Sequence, residues 1–164
     1  MNVTANTPFE LFFDQLRDLY SVKVQLRESM PHLVSLCTNE SLSDLLVSHA
    51  RQTRGQIAEI AAIFERHGES PGDDKCKAIA GLIEGGTSHL EGVRSPRTRD
   101  LMMIAHCLRM EYYEIAAHEF TALLAVRLEL AHESEILSKL LAEEKNMAAA
   151  LMQLEPDLFE TANP

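Results

Sequence analysis

The feature that most constrains this chain is a set of four long segments in which apolar residues recur at the spacing of one helix face. In each segment the stripe is apolar at both ends and polar in the middle. A polar midpoint is costly to bury unless its groups pair with one another. The pattern therefore predicts long helices that pack with their midpoints at one level, around a shared internal polar layer.

Cap residues, prolines and glycines set the expected helix boundaries. The pattern predicts a first helix from Thr7-Pro8 that Pro31 kinks or ends, a second from Thr38-Asn39-Glu40-Ser41 to His67-Gly68, a short one from Cys76 to Gly85-Gly86, a fourth capped by Thr98 that runs to about Leu130, and a fifth from near His132 to Leu154, ended by Pro156. No strand-like alternation extends beyond a few residues. We expect an all-α fold, a ferritin-like four-helix bundle with one crossover connection that carries the short fifth helix.

The length of 164 residues suits one domain, with residues 1–164 as a single unit and a folded core of about 8–155. Asp and Glu number 25 against 15 Lys and Arg, for a net charge of −10. Such a charge repels nucleic acid and anionic membrane surfaces, so neither is an expected partner. The opening residues lack the features of a leader, and no segment is apolar enough to span a bilayer.

Three cysteines, Cys37, Cys76 and Cys107, lie outside any metal-ligand spacing, which favours a reducing, cytoplasmic location. Each has apolar neighbours, so we expect small buried side chains rather than redox sensors. No catalytic triad, Walker or dinucleotide motif is present. The question of enzyme activity stays open, and these absences favour a protein that is not an enzyme.

The midpoints of the four long helices supply the predicted buried polar layer. Its members are Lys23, Gln52, Gln56, Glu111, Glu114 and Glu144. A two-metal carboxylate site in such a bundle needs one Glu from each of two helices and a Glu-x-x-His pair from each of the other two. Here the first helix offers an ammonium, which repels a cation and must lose its proton before it can coordinate. The layer thus falls short of that ligand set, and Lys23 is suited to neutralise buried carboxylates instead.

Several blocks of residues carry a resemblance to a known family. They are Leu11-Phe12 with Asp18-Leu19-Tyr20 and Gln25-Leu26, His49 with Thr53, the run from Cys76 to Ile83, the run from Arg109 to Ala117, and Glu143-Glu144-Lys145. Over about Phe9 to Leu154 the chain resembles the bacterial YciE/YciF family of ferritin-like proteins. The resemblance implies a five-helix ferritin-like fold, frequently a dimer, and a link to bacterial stress responses without a settled biochemical activity.

The departures from this family concern its acidic positions. Where members that look competent to bind metal carry Glu in the first two helices, this chain has Lys23 and Gln52. The resemblance further sets Ala148 where the family has Asp, Gly85 at a frequently acidic position, and His118 where it has Tyr. Only Glu111, Glu114 and Glu144 match. The resemblance therefore implies a member whose metal site has been lost.

Three hypotheses follow. The favoured one is a metal-free structural or interaction protein without a cofactor, homo-oligomeric through an exposed helix face and with a dimer favoured. The second is an iron or manganese protein with oxidase or peroxide-handling chemistry, whose ligands would be Glu111, Glu114, Glu144 and His118. The third is a small anionic or apolar ligand bound inside the bundle. The other histidines, His49 among them, share no spacing and receive no site.

Overall fold

The computed structural model describes residues 5–162, and the all-α prediction is confirmed there. The helices are α1 (Pro8–Leu36), α2 (Glu40–Arg66), α3 (Lys77–Gly92), α4 (Pro96–Arg127) and α5 (Ala131–Ala162), and no strand occurs within this part of the chain. The ends of the predicted 1–164 unit, residues 1–4 and 163–164, lie outside the described residues. No described helix is long and apolar enough to cross a membrane.

The four long helices form a closed ring in which α1 contacts α2 and α4, and α5 contacts the same two helices. Short connections make α1 antiparallel to α2 and α4 antiparallel to α5. The long crossover between α2 and α4 carries α3, which packs on α1 and α4. The α1–α2 side of the bundle therefore lies opposite the α4–α5 side.

Helix starts follow their cap residues. Thr7 and Glu10 form a reciprocal capping box at the start of α1, and the Asn39 side chain accepts a 3.0 Å hydrogen bond at the start of α2. The predicted cap of α4 was wrong, because Ser95 rather than Thr98 caps that helix. Ser95 is followed by Pro96, whose fixed φ and missing N–H suit the first helical position, so α4 begins one turn earlier.

Two predicted helix ends were also wrong, because a proline and a pair of glycines were interpreted as breaks. Pro156 lies inside α5, which continues to Ala162. Pro31, which was expected to kink or end the first helix, lies inside α1 and does not end it. Both prolines are exposed while their helices bury apolar residues on each side, so packing sustains the helix despite one lost hydrogen bond.

α3 likewise continues through Gly85-Gly86 to Gly92. Gly86 is buried against His106 of α4, and a Cβ at this glycine would lie 1.8 Å from the imidazole Nδ1. The glycine thus serves a close approach between helices rather than a helix end. A Cβ at Gly85, by contrast, would meet open space.

The core consists of two apolar clusters, and α1 passes through both. Leu16 and Leu19 belong to the cluster nearer the start of α1, whereas Val22 and Leu26 belong to the other. Lys23 lies between them in sequence and has no exposed surface. The bundle therefore carries a polar layer between two apolar halves.

Candidate functional site

The centre of the bundle gathers buried charged and polar groups from all four long helices. Lys23 comes from α1, His49, Thr53 and Gln56 from α2, Glu111, Glu114 and His118 from α4, and Glu144 from α5. None of these side chains is more than 3% exposed. Each of these helices contributes to the layer from near its midpoint. Apolar residues on both sides of that midpoint bury the rest of its inward face.

Lys23 is the cation of this layer. Its Nζ lies 2.5 Å from Oε1 of Glu114 and 2.7 Å from Oε1 of Glu144, so it joins α1 to both α4 and α5. An ammonium and two carboxylates with no access to water are tolerable only when they pair with one another. The helix that would supply a carboxylate to a metal site thus supplies the counter-charge instead.

Gln56 and His49 bring α2 to the same groups. The Gln56 amide donates to Oε1 of Glu144 at 2.6 Å and to Oε2 of Glu143 at 2.9 Å. Nε2 of His49 lies 3.2 Å from Oε1 of Glu111, without regular hydrogen-bond geometry. His49 is therefore a member of the layer to which the sequence pattern assigns no site, although its inward helical spacing from Gln56 points to it.

Gln52 does not belong to this layer, and its predicted place there was wrong. It is exposed, and Thr53 takes the inward position one residue later. A helical stripe steps by three or four residues, and from His49 the chain takes the step of four. The Thr53 hydroxyl is satisfied within its own helix, because it donates to the carbonyl of His49 at 2.9 Å.

His118 is fully buried but does not join the carboxylates as a ligand would. Its Nδ1 lies 2.9 Å from the backbone carbonyl of Glu114, one turn earlier, while Nε2 has no hydrogen-bond partner among the described residues. Burial, aided by the charge of Lys23, lowers the pKa of His118 to about 4. The side chain is thus a neutral imidazole at physiological pH.

The pKa shifts assign charge within the layer. Burial acts to lower the pKa of Lys23, but Glu114 and Glu144 together outweigh it, so that pKa is raised. Burial also acts to raise the pKa of Glu144, yet the charge of Lys23 and of His49 brings it below its usual value. Burial raises the pKa of Glu114, because Lys23 offsets only part of that effect. Lys23 and Glu144 therefore form the ion pair, and Glu114 takes up a proton more readily.

Burial likewise raises the pKa of Glu111, which His49 only partly counteracts. For His49 the two effects have the opposite signs. Burial acts to lower its pKa, but the neighbouring carboxylates outweigh burial and raise it. Both members of this pair thus retain protons to higher pH than usual. The layer therefore balances its negative charge in two ways: through the ammonium of Lys23 and through protons that its carboxyl groups and His49 retain.

One group of potential metal ligands exists among residues 5–162. Single donor atoms from His49, Glu111, Glu114 and Glu144 all lie within 4.8 Å of one another. Four donors cannot replace the two imidazoles and four carboxylates of a two-metal centre. Lys23 already binds two of the three carboxylates, and a divalent ion beside its buried ammonium would meet strong repulsion. The residues present do not fit a two-metal centre.

Thiol chemistry finds no support at the three cysteines. All three are free, and Cys76 and Cys107 are buried while Cys37 is partly so. Burial raises the pKa of each thiol, that of Cys37 to about 12. Raised pKa values leave little of the reactive thiolate.

A family profile for a domain of unknown function, DUF892, matches residues 7–163. This chain belongs to the DUF892 family. It is also 33% identical over 137 residues to Protein YciF of Escherichia coli strain K12, a match that covers 83% of this chain and 82% of that protein. The resemblance read from the sequence is therefore confirmed.

Solved structures place the DUF892 chain among ferritin-like bundles. The structure of the E. coli stress protein YciF matches with a TM-score of 0.91 at 30% identity, over 95% of this chain and 99% of that one. YcfI from Rhodopseudomonas palustris gives 0.88 at 28% identity, over 92% and 96%. Ferritin-like diiron-carboxylate proteins from Bacillus anthracis give 0.72 at 14% identity, over 92% and 99%, which bears on the fold alone.

Proposed function

We propose that this protein is a metal-free, stress-associated interaction scaffold of the ferritin-like fold. In it, Lys23 takes over the charge-balancing role that metal ions have in di-metal bundles. The observation that carries the proposal is the fully buried Lys23 ammonium, 2.5 Å from Glu114 and 2.7 Å from Glu144. A bundle neutralised from within needs no metal to close its core. The role in stress rests on the likeness to the E. coli protein that is named a stress protein.

An exposed apolar surface supports the interaction role. At helical spacing α4 exposes Tyr112, Phe120, Leu123 and Val126, and α5 exposes Met152 and Phe159. Between the two helices lies a cavity of about 530 Å³, partly floored by alanines. We call this surface the α4–α5 face. The cavity lining also includes Glu119 and Lys145, which pair at 2.7 Å. Exposed apolar side chains on two packed helices are typical of a protein interface, and we propose that two copies of the chain pair through this face as a homodimer. Three free cysteines support a reducing compartment, the cytoplasm.

The test of a metal-free core is metal content per chain after anaerobic incubation with ferrous iron or manganese, followed by desalting. We expect almost none in the natural protein. The double variant Lys23→Glu, Gln56→Glu supplies carboxylates from α1 and α2 and should gain metal. Gln52→Glu, which adds a carboxylate to α2 at an exposed position, is the control for Gln56→Glu and should gain none.

The double variant buries several carboxylates and needs metal to fold stably. Its unfolding midpoint should therefore rise with added manganese, because an ion that binds only the folded state stabilises it. The natural protein should show no such rise. Stoichiometric metal in the natural protein would contradict the proposal.

The dimer is tested separately by light scattering after size-exclusion chromatography. Leu123→Glu on the α4–α5 face should yield a monomer. Val47→Glu, a comparably exposed apolar position on α2, should leave the dimer intact. A natural protein that is monomeric at all concentrations would remove this part of the proposal while leaving the metal-free core in place.

A second function, a single iron or manganese ion with oxidase or peroxide-handling chemistry, has one observation in its favour. The donors of His49, Glu111, Glu114 and Glu144 converge, and each of the three carboxylates has an Oε2 atom without a hydrogen-bond partner within the described residues. Imidazole and carboxylate donors suit such ions. Lys23 opposes this reading, and the metal measurement decides between the two.

A further inference from the structure

The α1–α2 side of the bundle carries a groove that the proposed dimer leaves open. The groove has a volume of about 290 Å³, with an apolar lining from Met30, Pro31 and Val34 of α1 and from Val47 and Ala50 of α2. Val47 is 43% exposed. Because the α1–α2 side lies opposite the α4–α5 face, a dimer formed through that face would present one such groove on each outer surface.

Two arginines complete the rim of this groove. Arg51 and Arg54, one turn apart on α2, are exposed and line it. Among the described residues, neither arginine pairs with a carboxylate. In this respect they differ from Arg17, which binds Glu69 at 2.6 Å, and from Lys145, which binds Glu119 at 2.7 Å. Arg94 and Arg127, exposed elsewhere on the surface, also have no carboxylate partner among the described residues.

What sets Arg51 and Arg54 apart is their place, since they put two guanidinium groups without carboxylate partners beside an apolar floor on a chain with a net charge of −10. Arginine recognises carboxylates through two parallel hydrogen bonds, and the apolar floor accepts an aliphatic or aromatic side chain. An amphipathic helix lays its apolar face in such a groove and sets its charged side chains at the rim.

We propose that the α1–α2 groove binds an acidic amphipathic helix of a partner protein, with carboxylates on Arg51 and Arg54 and an apolar side chain between α1 and α2. The proposal rests on the interaction role proposed above and names the chemistry of the partner. An extended polyanion fits less well, because the net charge of the chain repels nucleic acid and anionic lipid beyond the two arginines.

The test uses a fluorescein-labelled helical peptide built from glutamate and leucine, with the leucines on one face, and follows its anisotropy. We expect saturable binding in the micromolar range at low salt that weakens as salt is added. Arg51→Glu, Arg54→Glu should weaken binding at least about tenfold. Arg94→Glu, Arg127→Glu makes the same change in net charge at exposed sites away from the groove, and should change affinity by less than about threefold.

The groove variant should also gain binding to the matching peptide in which lysine replaces glutamate. Absent binding of the glutamate peptide, equal losses in both double variants, or tighter binding of duplex DNA or phosphatidylglycerol vesicles would each overturn the proposal. The groove variant should keep its circular dichroism spectrum and its dimer mass. If it keeps both while the binding results go against the groove, the groove proposal fails and the scaffold proposal stands.

Discussion

The central polar layer and the contact beneath α3 both bury ionisable groups, but they avoid the cost of a buried charge in opposite ways. In the layer, Lys23 keeps its charge because two carboxylates lie within 2.7 Å. Beneath α3, His106 is 1% exposed, and neither ring nitrogen has a partner among the described residues. Burial, with the positive charges of Arg109 and His89, lowers the pKa of His106 to about 4, so it stays neutral.

The difference shows what each residue type requires from its surroundings. A lysine ammonium loses its proton only with difficulty, so its burial depends on distant helices that deliver counter-charges. A histidine gives up its proton near neutral pH, so its burial requires no counter-charge. The layer therefore couples four helices through charge, whereas the α3 contact depends on the shape of one glycine.

The largest expected effect comes from removal of the cation. Lys23→Met leaves Glu114 and Glu144 without their buried partner and should reduce the free energy of unfolding by about 3–5 kcal/mol, measured by urea denaturation. If Glu114→Gln and Glu144→Gln are added, no carboxylate is left buried without its lysine partner, and much of the loss should be recovered. A Lys23→Met protein as stable as the natural one would refute charge coupling in the layer.

Shape at the α3 contact is tested by Gly86→Ala. The added methyl would overlap the His106 ring and should cost about 2 kcal/mol or more, seen as a lower urea midpoint. Gly85→Ala, where the methyl meets open space, should stabilise α3 by up to about 1 kcal/mol through helix propensity. Equal effects at the two glycines would show that His106 does not occupy this space.

The neutral state of His106 predicts a dependence of stability on pH. Unfolded histidine binds a proton near pH 6.5, while folded His106 does so only near pH 4, so stability should fall as pH decreases between these values. His106→Leu should remove part of this slope, on the order of 2 kcal/mol across the interval. His118 contributes a second, similar slope that the variant retains. Urea unfolding at several pH values measures both, and an unaltered slope in the variant would count against a neutral His106.

The smallest effect should come from a partly exposed pair at the bundle edge. The Tyr113 hydroxyl donates to Asp18 at 3.0 Å and lies 3.2 Å from Sγ of Cys76. Tyr113→Phe should cost about 1 kcal/mol in urea denaturation, because water shares the task of solvating this carboxylate. Tyr112→Phe is the matched control, since Tyr112 is 61% exposed, and should have less effect.

Much of this architecture is predictable from the sequence, because long apolar stripes admit few arrangements other than a bundle. The place of Lys23 in the stripe also predicted a buried cation. The exposed Gln52 was not foreseen, since a helix period of 3.6 permits a step of three or four residues and only packing decides between them. His49 was passed over because no spacing along the chain links it to Glu111, which approaches it from another helix.

Backbone breaks were the other source of error. Gly86 was interpreted as a helix end. Its missing side chain instead leaves room for the imidazole of His106 from α4. Pro156 was interpreted as the end of the helix. Burial of Leu151 and Leu158, on either side of it, keeps α5 helical beyond this position. In both cases packing between helices decides whether the helix continues. Such packing joins residues that are distant in the chain, so the local sequence does not show it.

The pairing of Lys23 with Glu144 spans 121 positions of the chain. During synthesis the lysine leaves the ribosome while the glutamate is still to be translated, and α1 and α2 emerge with polar midpoints that have no counter-charge to meet. A hairpin of α1 and α2 can still bury the apolar side chains that the two helices share in both core clusters, with the ammonium left in water at its midpoint. Because the last helix brings the carboxylate of Glu144, the ammonium can be buried with its partner only when closure of the bundle joins its first helix to its last.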